Sequence, residues 1–176
     1  MKMKMQSIVS FFTLCLTSFT LHAADAKYNF PKTFLFNDKV WKLDFQDESE
    51  HSILAEYVTN GESVKNWTQL FTYQQMRKPL PAEVTPENFA EHIDAGLKSK
   101  DITYRFSVLN ASENEAMIEF RITSPRKLQQ DELQRIIKKK DGIFIMIHYV
   151  IKKPDMGSAA RAAWVENLKS VPMILF

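Results

Sequence analysis

Along three stretches of this chain, apolar and polar residues alternate strictly. Residues 40–45 set Trp41, Leu43 and Phe45 against Lys42 and Asp44. Residues 102–109 set Ile102, Tyr104, Phe106 and Val108 against Thr103, Arg105 and Ser107. Residues 117–123 set Ile118, Phe120 and Ile122 against Glu119, Arg121 and Thr123. A period of two is what a strand with one buried face requires. Aligning the apolar faces of the last two strands puts Arg105 opposite Glu119 or Arg121. The run IFIMIHYVI at 143–151 breaks the rule, being apolar on both parities. A strand covered on both faces reads this way, so Met146 and Ile147 are both expected inside, at the middle of a sheet. With 134–140 and the turn signal Asp141-Gly142 it predicts a central hairpin.

The remaining pattern fills in around that hairpin. An N-terminal segment, 28–36, contains Pro31, which argues against a central strand. The acidic run 47–50 reads as a solvated turn, 52–59 as a strand closed by Asn60-Gly61, and 66–76 as a further strand rich in Trp, Thr, Phe and Tyr. Pro79 and Pro81 make 77–85 a loop. Thr85-Pro86-Glu87 then starts a helix: a hydroxyl cap, Pro at the first position and an acid at the positive dipole end. Phe89, Ile93 and Leu97 recur every four residues, carrying that helix to about Ser99. Residues 110–115 read as a turn and 124–127 as a strand break. A second helix is expected over 157–170, with Ala160, Trp164, Leu168 and Val171 on its buried stripe. The apolar tail 173–176 is expected to fold back onto the body. The fold class is therefore α+β, an antiparallel sheet of about six or seven strands with helices packed on both faces.

The first 26 residues do not belong to that pattern. Lys2 and Lys4 precede an apolar stretch from Ile8 to Leu21, and Ala24-Asp25-Ala26 fits a signal-peptidase site, with Leu21-His22-Ala23 as a competitor. The stretch is short and rich in Ser and Thr for a membrane span of about 20 residues. The expectation is a secretory signal peptide at 1–26 and a single domain at 27–176, exported to the periplasm or beyond the cell. Cys15, the only cysteine, lies in the leader behind Leu14 rather than a small residue, which argues against lipidation. A mature chain without thiols must be held by its core alone. Losing Lys2, Lys4 and Asp25 leaves 21 basic and 20 acidic residues. A net charge of +1 supplies no global field for nucleic acid, so any anion binding must be local.

Signatures of catalysis are missing. The four glycines, Gly61, Gly96, Gly142 and Gly157, form no phosphate loop, and no nucleophile elbow, HExxH or cysteine pair occurs. His51, His92 and His148 lack metal-ligand spacing, so no metal and no cofactor is expected. The sequons at 66–68 and 110–112 read as coincidence, Trp67 as a core or groove aromatic, and Lys138-Lys139-Lys140 as a solvated hairpin tip. One local constellation stands out. If Asp141-Gly142 forms a two-residue loop, Arg135 lies directly across from His148, with Arg121 and Arg105 continuing a polar band beside Glu119. A three-residue loop would separate Arg135 from His148. Arg105, Arg121, Arg135 and His148 together would suit a phosphate or carboxylate. Three function classes follow. The first is a non-catalytic binding or accessory protein whose partner is a protein or an anionic ligand. The second is a hydrolase-like enzyme using the polar sheet face, and the third a membrane-surface binder using lysines, phosphoinositides among its targets.

The order of elements, with 40–43 (VWKL), Gly61-Glu62, Asn66-Trp67-Thr68, Ile136-Ile137, Asp141-Gly142, Tyr149 and Trp164-Val165 ahead of Leu168, resembles small exported bacterial proteins of the Mog1/PsbP-like class. The resemblance implies an αβα sandwich and a binding or assembly role without catalysis. Size and leader are also similar to those of some substrates of type II secretion, which implies export and nothing about activity.

Overall fold

A computed structural model describes residues 28–59 and 61–171. The leader 1–26, Asn60 and the tail 173–176 lie outside the described residues. Eight strands form one antiparallel sheet: β1 Thr33–Phe36, β2 Lys39–Glu48, β3 Ser52–Thr59, β4 Gln69–Met76, β5 Thr103–Ala111, β6 Glu115–Ser124, β7 Gln130–Lys138 and β8 Phe144–Ile151. Their order across the sheet is β1-β2-β3-β4-β8-β7-β6-β5, two meanders joined where β4 meets β8. Helix α1, Pro86–Lys98, links the meanders, and α2, Ser158–Ser170, follows β8.

Eight strands replace the six or seven expected because the segment holding Pro31 ends in a real, short edge strand. Pro31 itself stays outside the ladder, as its missing N–H requires. Every residue of β8 is buried, including Met146 and Ile147, as a strand covered on both sides demands. Ile145, Ile147, Tyr149 and Ile151 point to the side covered by α2, where Trp164 and Leu168 join Phe34, Trp41 and Phe71. Trp164 stacks on Tyr149 with ring planes 13° apart. Phe144 and Met146 point the other way, to Phe89, Ile93 and Leu97 of α1 and to Ile118, Phe120 and Ile122 of β6. Thr85 caps α1 as expected, accepting from the Asn88 N–H at 3.1 Å. Ala160 is exposed, so the buried stripe of α2 is narrower than the periodicity implied.

The hairpin at the centre differs from expectation in one decisive respect. Lys139 N–H donates to the Ile143 carbonyl (2.8 Å) and Gly142 N–H to the Lys139 carbonyl (2.9 Å), so Lys140, Asp141 and Gly142 make a three-residue loop. Gly142 has φ +79°, the left-handed conformation such a loop needs at its last position. A Cβ at that position would also sit 3.1 Å from the Pro79 side chain, and the Leu80 N–H donates to the Gly142 carbonyl at 3.2 Å, which ties the hairpin tip to the proline loop. Register shifts by one residue: Arg135 pairs with Ile147 and Gln134 with His148.

Candidate functional site

One residue of slip in a strand sends every side chain to the other face. Arg105, Arg121 and Arg135 lie on the α2 side of the sheet, and His148 lies on the α1 side. The four residues singled out from the sequence are therefore not brought together. Arg135 serves the end of α2. It donates to the carbonyls of Leu168 (3.0 Å) and Lys169 (2.9 Å) and pairs with Glu115 at 2.7 Å. Those carbonyls are among the last of the helix, where a cation meets the negative end of the dipole. Lys138, expected at a solvated tip, donates instead to the carbonyls of Ala82 and Val84.

His148 belongs to a buried polar row. Its Nδ1 lies 2.7 Å from Glu132 Oε1. Glu132 also accepts from Gln134 Nε2 (2.6 Å) and Gln130 Nε2 (2.9 Å). Thr72 is the residue directly across from His148 on β4, and Glu56 lies across from Thr72 on β3. With Nδ1 fixed by the carboxylate, Nε2 is the free end of the ring; it is buried without a hydrogen-bond partner.

Arginine and carboxylate groups on the α2 side form the second constellation. Arg105 of β5 is paired directly with Arg121 of β6, the second of the two registers that the alternating strands allowed. Arg121 reaches Asp155 at 3.0 Å, Asp131 at 3.7 Å and Glu119 at 3.9 Å. Arg161, on the first turn of α2, meets Glu119 at 2.6 Å and Asp155 at 3.2 Å and hydrogen-bonds Asp131. Burial drives the Asp131 carboxyl pKa upward, against the opposing pull of the Met156 N–H, Arg161 and Arg121. The Gly157 N–H, followed by Arg161, draws the Asp155 carboxyl downward. Arg161, Asp131 and Asp155 were not legible as site residues, because Asp131 opens a strand far in sequence from the linker and helix that supply Asp155 and Arg161.

Between this cluster and the sheet edge is a cleft of about 310 Å³. Thr103, Arg105, Arg121, Thr123, Pro154 and Asp155 line it, with Tyr104. Its two arginines differ in their surroundings. Arg121 is held by carboxylates, whereas Arg105 is exposed and forms no ion pair among the described residues. Among those residues no group of three His, Cys, Asp or Glu side chains is placed to hold a metal ion, and no helix is long and apolar enough to cross a membrane.

A protein-family model matches the chain over residues 28–171, the full span of the described structure. No curated protein matches it.

Proposed function

We propose that this chain, which belongs to the uncharacterised family matched over residues 28–171, is an exported, non-catalytic binding protein. In this reading it takes an anionic group of its ligand at the Arg105–Arg121 cleft. The observation that carries the proposal is the directly opposed arginine pair. Like charges facing each other across a ladder destabilise a sheet. Glu119, Asp131 and Asp155 are all committed to Arg121 and Arg161, whereas Arg105, lining the same cleft, pairs with none of them. A carboxylate or phosphate bridging Arg105 and Arg121 relieves the repulsion, and the planar guanidinium fork suits either group. The leader pattern of residues 1–26 supports export to the periplasm or the cell exterior. The layered antiparallel sheet with a helix on each face supports the Mog1/PsbP-like resemblance, and with it an accessory role.

The test is calorimetric titration of the wild type with inorganic phosphate and with citrate, repeated on Arg105→Gln. Saturable binding that weakens at least about tenfold in the variant is expected, the loss of one charge-assisted contact. No binding, or equal binding by both proteins, removes the proposal.

A second reading draws on the Glu132–His148 couple with Thr72 on the next strand, an acid, an imidazole and a hydroxyl on one face. That set supports hydrolase-like chemistry from the polar sheet face, with His148 Nε2 as base. Hydrolysis of a simple activated ester that His148→Gln abolishes while its melting temperature holds would favour it. Turnover unaffected by the variant would sink it.

A further inference from the structure

The β1–β2 hairpin is unlike the rest of the surface. Leu35 is 72% exposed and Val40 54%, the two most exposed large apolar side chains among the described residues. They are direct cross-strand partners, so they form one patch rather than two scattered side chains. Thr33 and Lys42, the next pair on the same face, adjoin them. Lysines flank the patch. Lys32 and Lys42 are exposed, as is Lys65 on the loop ahead of β4, whereas Lys39 pairs with Phe36 on the α2 side and is held by Gln69. Lys152 stands over the Trp67 ring, 5.3 Å from its centre, with Lys153 beside it. A shallow cleft of about 670 Å³ at this corner is lined by Thr33, Lys39, Val40, Lys42, Thr59 and Gln69.

The acids of the same corner offset only part of this charge. Asp44 is engaged by the Val64 N–H at 2.8 Å, and Glu62 by Thr59 and Thr68. Asp38, in the left-handed turn with Asn37, is the third. Lys32, Lys42, Lys65, Lys152 and Lys153 outnumber these three acids, at one corner of a chain whose overall charge is only +2. An apolar tip with lysines on its flank complements one kind of partner: an interface with anionic headgroups outside and hydrocarbon beneath.

We propose that the β1–β2 hairpin docks on an anionic phospholipid bilayer. Leu35 and Val40 enter the interface, and the lysines around them meet headgroup phosphates. This surface is separate from the Arg105–Arg121 cleft, so either assignment can fail without the other. The lysines concerned are also not those of the 138–140 run, which lies at the opposite end of the strands.

Cosedimentation of the protein, purified as its cell accumulates it, decides the matter. The vesicles are phosphatidylcholine alone or mixed with phosphatidylglycerol. Binding is expected only to the mixed vesicles and is expected to fall with added salt. Lys32→Glu with Lys42→Glu should weaken it by at least about tenfold, since each lysine near such a surface contributes about fivefold. Leu35→Ser with Val40→Ser should weaken it several-fold. These four side chains are exposed, so both variants should fold, which circular dichroism verifies. Equal binding to both vesicle types, no binding, or unchanged binding by the lysine variant overturns the proposal. So does a Leu35- and Val40-dependent dimer in lipid-free solution, which would assign the patch to a second copy of the chain.

Discussion

Asp131 has no exposure to solvent, and its position is tolerable only because Arg161, Arg121 and the Met156 N–H converge on it. Removing one member of a buried ion pair costs about 3–5 kcal/mol, because the other charge is left uncompensated. Arg161→Met is therefore expected to lower unfolding free energy by about that amount in a denaturant titration, with Asp131→Asn in the same background recovering part of the loss. Asp155 has a different role, since it is half exposed and competes for Arg121 with any bound anion. Asp155→Asn should strengthen anion binding several-fold while leaving the melting temperature within a few degrees. Unchanged affinity would mean that Arg121 does not reach the ligand. At this scale the sequence was only partly legible. The alternation of 102–109 and 117–123 placed Arg105 opposite one of two residues, and Arg121 is the one found. Nothing in a linear pattern could join Asp131 to Arg161, thirty positions away on a helix whose docking angle the sequence does not encode.

Among the elements, β8 carries the fold, and its two-sided apolarity was the clearest signal in the chain. Met146→Asp and Ile147→Asp should each destabilise strongly, by several kcal/mol, because each forces an unpaired charge into a different core layer. Melting within a degree or two of wild type for both would contradict the central placement of β8. The hairpin loop shows where local reading stops. Asp141-Gly142 fits a two-residue loop as well as the tail of a three-residue one; here only Gly142 of the two takes positive φ, and its carbonyl accepts from the Leu80 N–H. That contact comes from a loop sixty residues earlier. The consequence was large: one residue of register moved His148 away from Arg135 and gave each its own network. Glu132 and Asp131 were missed for a related reason, since β7 begins at Gln130, four residues ahead of the expected start. Those four residues supply two of the three buried carboxylates among the described residues, Glu56 being the other.

For the molecule as a whole, the architecture follows from which faces must be covered. The α1 and α2 sides each hold an aromatic and aliphatic layer, with a single sheet between them. Buried phenols add an alkaline limit to stability. Burial raises Tyr149 to about 12, and burial followed by the nearby Tyr28 raises Tyr73 to about 12. Burial also drives Tyr57 upward. Unfolded tyrosine ionises near pH 10. Between about pH 10 and about pH 12 the unfolded chain therefore releases protons that the folded chain keeps, and stability falls as pH rises. Denaturation midpoints should be flat through neutrality and decline across that window, in step with the ultraviolet signature of tyrosinate. A flat profile past pH 11 would contradict the burial of these rings.

Whether the opposed arginines act as an anion site is the point on which the functional account turns. The arginine Nε–Hε resonances of the isotope-labelled protein report it most directly during a titration with inorganic phosphate. The Arg105 and Arg121 signals should move together and saturate at a common midpoint, while Arg135, committed to the carbonyls of Leu168 and Lys169, stays in place. A saturating shift at Arg135 without one at Arg105, or no saturating shift at any arginine, would contradict the account.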